Sequence, residues 1–337
     1  MSKLAASPDI ARHIAALMVL FSHQHALSGM HEPGIEGFET LGGLSVIVFF
    51  SISGFLIATS AMRSSDFISF MAKRVRRIFP ALIACALVVN VFFGHIFNPQ
   101  FTSFELLSSA VKTISLNGYS QSASSTDFIH SQLINGSLWT LPLEVACYLL
   151  VGIVLATGKN TNLFILILIA TLFLSVYTLS YGVQLSVLSI PFMLFSTRAL
   201  AFFIGCVMAM HVKKWNTTKI KLFLVSFLAI YSYSNQGSPI NFIISCFVLC
   251  SVLTIIICTS INDKIISGRF DYSYGIYIYA FPVQQVVINK LQLPFYQGLI
   301  LSAVIVIALA AASWHLVEKR FLRGKQKNDI PKCESAY

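Results

Sequence analysis

The sequence predicts an all-α polytopic membrane protein, a bundle of about ten transmembrane helices, and three observations carry that prediction. Of its 337 residues 56% are hydrophobic and only 11% charged, with a mean hydropathy of +0.77, which is too apolar for a soluble chain of this length. Apolar runs of membrane-crossing length recur from end to end. With the N-terminus placed in the cytoplasm, all but three of the 23 Lys and Arg residues fall on the cytoplasmic side; the exceptions are Lys112, Lys290 and the intramembrane Arg198. Such a bias is a positive-inside signal, and it favours an even number of spans with both termini cytoplasmic. The net charge of +10 therefore reports topology, and no nucleic-acid partner is expected.

The first span is drawn at 12–29. It carries Arg12 and three histidines and is followed by no small-residue cleavage site, so a retained helix is expected rather than a removed signal. The second, 43–61, is followed by the basic run Lys73-Arg74-Val75-Arg76-Arg77 and Pro80, which lead into the third at 79–97. Residues 98–136 are rich in Ser, Thr, Asn and Gln and hold no run able to span, so they are expected as a long outer loop. The remaining spans are 137–157, 162–180, 191–211, 220–234, 240–260, 270–289 and 295–316; 220–234 is short, and another cut of 162–211 gives nine or eleven. The chain from 1 to 337 is expected as one membrane domain with a cytoplasmic tail from about 317. The seven cysteines form no C-x-x-C pair and mostly lie inside apolar runs, as small core residues do.

Four places break the apolar pattern. Eleven residues separate Arg12 from His23, which at 1.5 Å and 100° per residue puts them about 16 Å apart along one helix face, with His23 near the bilayer midplane. A histidine there suits a proton acceptor, although a buried interhelical hydrogen bonder is the plainer role; His25 and His31 lie nearer the outer surface. Arg74 and Arg77, with Arg76 beside them, form a fork suited to a phosphate-bearing ligand, or a plain cytoplasmic anchor. In Asn135-Gly-Ser137-Leu-Trp139-Thr-Leu-Pro-Leu-Glu144 a carboxylate about 10 Å below the outer surface calls for a partner, His23 or an arginine, and Trp139 is an interfacial aromatic or a sugar platform. Arg198 calls for a partner as well, and a Glu144–Arg198 pair is expected. No zinc, P-loop or G-x-S-x-G signature is present.

In this order and spacing the motifs resemble the bacterial membrane acyltransferase-3 family, in particular its stand-alone O-acetyltransferases of O-antigen and other surface polysaccharides. Arg12 and His23 match an Arg-x10-His motif, and Val48-Phe-Phe-Ser-Ile-Ser-Gly-Phe-Leu-Ile57 a second-helix segment. Lys73 to Pro80 match the basic entry to the third helix, and Ser137 to Glu144 match Ser-Leu-Trp-[Ser/Thr]-Leu-x-x-Glu. Tyr272 to Pro282 and Val317-Glu-Lys-Arg-Phe321 are similar to the late motifs. Two positions depart: Ala280 stands where many members have His, and Ala201 where a Glu often follows the sixth-helix Arg.

The resemblance implies an enzyme of the inner membrane, with acetyl-CoA as donor, no metal, and a polysaccharide or its lipid-linked precursor as acceptor. It implies His23, Arg12 and Glu144 as catalytic residues and Arg74, Arg76 and Arg77 as donor-binding residues. Ser137, Trp139, Arg198 and Tyr277 are the candidate acceptor-binding residues. The family's frequent hydrolase-like soluble domain is not expected. The alternatives are a transporter or flippase of a glycan precursor, although no inverted repeat is visible, and an acyltransferase with a lipid, small-glycan or peptide acceptor.

Overall fold

The computed structural model describes residues 8–97, 100–116, 128–187, 190–261, 263, 266 and 268–323. The end of the expected tail with Cys333, the middle of the expected outer loop with Asp127, and the basic residues Lys3 and Lys264 lie outside the described residues.

Apolar runs become helices because a helix satisfies its backbone groups internally, the condition hydrocarbon imposes. In order they are α1 (Pro8–Leu27), α2 (Leu41–Arg63), α3 (Phe67–Ala86), α4 (Gly94–Phe97), α5 (Ser103–Ile114), α6 (Thr140–Ala156), α7 (Asn162–Tyr181), α8 (Phe192–Met210), α9 (Val212–Trp215), α10 (Thr218–Ser234), α11 (Pro239–Ser260), α12 (Ser273–Val286), α13 (Phe295–Ser313) and α14 (Lys319–Arg323). A wide π turn at Leu87–Phe93 joins α3 to α4, a second at Val287–Leu291 extends α12, and a third at Trp314–Glu318 joins α13 to α14. Two short antiparallel ladders, Gly34–Ile35 with Glu39–Thr40 and Ser186–Val187 with Ile190–Pro191, turn the chain between helices.

Two local expectations change. The third helix begins at Phe67, not 79: the Asp66 side chain accepts from the Ser69 N–H at 2.8 Å as an N-cap, and the helix runs through Lys73–Arg77 and Pro80. The basic run thus lies inside the helix rather than ahead of it, and Arg74 and Arg77 share a helix face as expected. Within the expected outer loop, Thr102 and Glu105 form a capping box that starts α5, and Leu106, Ser109 and Ala110 pack against α3 and its π turn.

Seven stretches among the described residues are long and apolar enough to cross a membrane: Leu41–Arg63, Phe67–Phe93, Gly136–Ala156, Asn162–Tyr181, Phe192–Met210, Pro239–Ser260 and Phe295–Leu322. The runs expected at 12–29, 220–234 and 270–289 are helical too, but α1 is diluted by Asp9, Arg12 and its histidines, α10 has 17 residues and α12 has 14 before its π turn. Length and apolarity therefore support a helical membrane protein with seven such stretches, and the ten-span count goes beyond them.

Helix α2 is the axis of the packing. On one side it meets α8 and α11, with α7 and α10 outside them; on the other it meets α1 and α6, and α12 and α3 complete the ring. Gly54 and Gly205 permit the tightest of these contacts. A Cβ on Gly54 would sit 1.8 Å from the Phe202 carbonyl oxygen, and one on Gly205 2.2 Å from that of Ser51, so the α2 and α8 backbones meet directly. The adjacent Ser53 lies about 100° around α2 and reaches Glu144 of α6.

Candidate active site

A cleft of about 650 Å³ opens beside the N-terminal end of α1 and the start of α3. Arg12, Lys73, Arg74, Arg76, Arg77, Arg269 and Lys319 line it together with apolar and aromatic side chains, and among the described residues no carboxylate belongs to its walls. The helical course of the 73–77 segment produces this charge density, since residues three and four apart share a face.

The cations differ in what already neutralises them. Arg77 donates to Asp271 and lies 3.6 Å from Glu318, with its guanidinium 5.9 Å from the rings of both Tyr274 and Trp314. Arg12 donates to the same Asp271 oxygen at 3.0 Å. Arg74 forms no ion pair among the described residues, with Glu144 acting on it only at longer range: it donates to the Ser60 hydroxyl at 3.2 Å, lies over the Phe70 ring, and its enclosed Nε has no acceptor among the described residues. Lys73 reaches only the Ser64 hydroxyl at 3.2 Å, and Arg76 is exposed. Of the three arginines expected to hold phosphates, Arg77 is thus the one already compensated.

Asp271, in the loop ahead of α12, holds this arrangement together. Burial opposes its charge, but the guanidiniums of Arg12 and Arg77 and the Ser273 hydroxyl, which donates at 2.5 Å, more than offset that and keep the carboxyl well below its usual range. The loop is also stapled to α1, for the Gly268 N–H donates to Asp9 at 3.2 Å and the Tyr272 N–H to His13 Nε2 at 3.1 Å.

Arg12 and Ser53 wall both this cleft and a smaller inner pocket of about 50 Å³, so they stand at the boundary, or neck, where the two adjoin. The inner pocket is bounded by Phe49, Thr140, Glu144, Tyr274 and Tyr277 among others. Glu144 accepts hydrogen bonds from Ser53 at 2.6 Å and from Tyr148. Tyr277 donates to the Ser137 carbonyl at 2.7 Å and shares a 2.7 Å bond with Thr140, tying α12 to the start of α6.

His23 is placed apart from this neck. It lies four residues before the end of α1, nearer the C-terminal end of the helix than its middle, because α1 runs from Pro8 to Leu27 rather than over 12–29. Its ring stands edge-on to Phe281 at 5.1 Å, and its Nδ1 is enclosed with no partner among the described residues. The neighbouring Ser22 hydroxyl accepts from the Gly42 N–H at 2.9 Å, which levels this part of α1 with the start of α2. Ser53 is eleven residues further along α2, about 16 Å toward the Arg12 end. Phe281 is one turn beyond Tyr277 on α12, so the inner pocket ends about one helical turn short of the imidazole.

Two expected pairings change accordingly. Glu144 meets neither His23 nor Arg198, because its side chain turns toward α2 and its own next turn. Arg198 is buried in α8 and pairs at 2.7 Å with Glu39, the residue just before the cap of α2. It also donates to Thr197 and lies 5.8 Å from the Trp139 ring and 5.4 Å from that of Phe247. Trp139 is therefore half-buried against a cation rather than an open platform. Ser137 is buried with its hydroxyl unpartnered among the described residues, and it lines neither cavity.

Asp271, Ser53, Tyr148 and Glu39 were not singled out by sequence reasoning. Tyr148 had a signal, since it follows Glu144 at i+4 on one helix face. Asp271 stands just ahead of the Tyr272 motif, but its partners are 259 and 194 residues away, beyond any spacing rule. All six described cysteines are free thiols, and among the described residues no group of three His, Cys, Asp or Glu is placed to hold a metal.

Comparisons with known proteins agree with the motifs. The Acyltransferase domain family, acyltransferase-3, matches residues 6–317. The chain is 49% identical over 317 residues to an O-acetyl transferase of Shigella phage Sf6, covering 93% of this chain and 95% of the relative. It is 27% identical to Nodulation protein 10 of Rhizobium leguminosarum bv. viciae, covering 92% of this chain and 91% of the relative. No solved structure gives a significant match. A family match over nearly the whole chain, together with an O-acetyl transferase relative of similar length, sets the transporter alternative aside: the chain belongs to the acyltransferase-3 family and is an enzyme, an acyltransferase of the O-acetyltransferase type.

Proposed function

We propose that the protein transfers an acetyl group from cytoplasmic acetyl-CoA to a hydroxyl of a cell-surface polysaccharide, an O-antigen sugar or its lipid-linked precursor, across the bacterial inner membrane with both termini cytoplasmic. The observation that carries this reading is a basic cleft with no carboxylate among its described walls, adjoining at Arg12 and Ser53 an inner pocket whose wall residue Tyr277 is one turn along α12 from Phe281, the ring that meets His23.

The cleft fits a polyphosphate donor: its walls are cationic, and Arg74 keeps an unpartnered Nε. Lys73, Arg74 and Arg76 hold the phosphates, with Arg269 and Lys319 on the same cleft, while Arg77 serves as a compensated strut. Bound there, the donor supplies a thioester carbonyl as the acyl source. Arg12 stands at the neck, where a guanidinium stabilises negative charge developing on a carbonyl oxygen. Glu144, fixed by Ser53 and Tyr148, orients the inner pocket. His23, near the far end of α1, takes the proton of the acceptor hydroxyl while the hydroxyl oxygen bonds to the acetyl carbon and the thioester C–S bond breaks, and the proton passes to the departing CoA thiolate; the enclosed Nδ1 has no partner among the described residues.

The donor assignment is tested by Arg74→Ala. Removing one charge-assisted contact costs about 1.5–3 kcal/mol, so KM for acetyl-CoA rises about tenfold or more while kcat at saturating donor is retained. An unchanged KM would remove the donor from this cleft.

A further inference from the structure

The polar network contains one carboxylate whose position is not explained by packing alone. Asp271 Oδ2 is shared by Arg12 of α1 and Arg77 of α3, and its Oδ1 accepts from the Ser273 hydroxyl and N–H at the start of α12. Three helices far apart in sequence thus converge on one side chain. The two arginines are not equivalent in their dependence on it. Arg77 retains Glu318 at 3.6 Å and two aromatic faces, whereas Arg12 feels Asp9 and Glu318 only at longer range and makes its direct ion pair among the described residues with Asp271. Arg12 is also the cation that walls both cavities.

We infer that Asp271 is a positioning residue for acyl transfer, holding the Arg12 guanidinium at the neck where the reacting carbonyl passes, and that it does so through Arg12 rather than by binding the donor; the inference rests on the donor reading above. A long arginine side chain has many rotamers, and a fixed carboxylate that receives one of its Nη groups leaves the other nitrogens aimed in a defined direction. Asp271 does not line either cavity, so it has no contact of its own with a ligand there. It is nonetheless the carboxylate bonded to two of the cationic walls, and it lowers the positive potential the cleft presents.

These two roles pull in opposite directions on removal of the charge, which separates positioning from simple support of the fold. In Asp271→Asn the cleft becomes more positive, so CoA itself, measured by calorimetry on the purified full chain, binds as tightly as to wild type or more tightly. Turnover measured as release of CoA from acetyl-CoA falls about tenfold or more, because Arg12 is no longer held. In an Arg12→Gln background the same substitution costs no more than about twofold further, since the group it acts through is gone. Asp271→Glu keeps the charge and displaces it by one methylene; it folds and retains more turnover than Asp271→Asn, and it carries the test if the Asn variant fails to accumulate. Wild-type turnover in Asp271→Asn, parallel loss of CoA binding and turnover, or multiplicative losses with Arg12→Gln would each overturn the inference. Failure of the wild-type protein to bind CoA would instead overturn the donor reading.

Discussion

Buried charges decide most at the residue scale, because each must find a partner whose identity no spacing rule supplies. Arg198 illustrates this: its side chain is 5% exposed and its carboxylate is Glu39, one residue before the Thr40 cap of α2. Removing one partner of a buried pair costs about 3–5 kcal/mol, whereas replacing both with apolar groups of similar volume is often close to neutral. Glu39→Gln is therefore expected to lower the thermal midpoint in detergent strongly, and Glu39→Gln combined with Arg198→Met to recover most of it. Equal melting of wild type and Glu39→Gln would show that the pair contributes nothing. That Arg198 needs a partner is legible in the sequence, since an arginine inside an apolar run is costly. Which carboxylate answers it is not, since Glu39 and Glu144 both lie near the right depth and only tertiary packing chooses. Glu144 is the complementary case, for its own i+4 tyrosine satisfies it locally.

Helices themselves are far more legible than their partners. Every apolar run drawn from the sequence lies on a helix, because runs of that length have no other way to satisfy their backbones in lipid. Boundaries move where polar residues continue a helix, as Lys73–Arg77 do in α3, or where a capping signal is embedded in a polar stretch, as Thr102-x-x-Glu105 is before α5. The most constrained contact is that of α2 with α8, where Gly54 and Gly205 allow two backbones to touch. Small residues give membrane helices their close packing. Gly54→Val must separate the helices to place its side chain, which would carry Ser53 away from Glu144; the protein is expected to accumulate poorly, and any folded fraction to have lost at least tenfold in turnover. Wild-type levels and turnover in Gly54→Val would mean that the two helices are not held at this distance. The second-helix motif thus has a structural reason in its glycine and a site reason in the adjacent serine.

In the whole molecule the polar groups of the candidate site stand toward two ends of one hydrophobic bundle. A basic cleft gathers around the N-terminal end of α1, an imidazole stands near its other end, and about 16 Å of helix separates Arg12 from His23. That separation was readable from the Arg-x10-His spacing alone. The neck that connects the ends was not, because it is assembled from α1, α2, α6 and α12 by contacts up to about 260 residues apart. Acetyl transfer in inverted membrane vesicles, with labelled acetyl-CoA and surface polysaccharide and with wild type and His23→Ala at matched levels, tests this account most directly. Label is expected to enter the glycan with wild type and to fall by a factor of about 10² or more with His23→Ala, while CoA binding at the cleft is retained. Undiminished labelling by His23→Ala would contradict a mechanism in which donor and acceptor meet between Arg12 and His23.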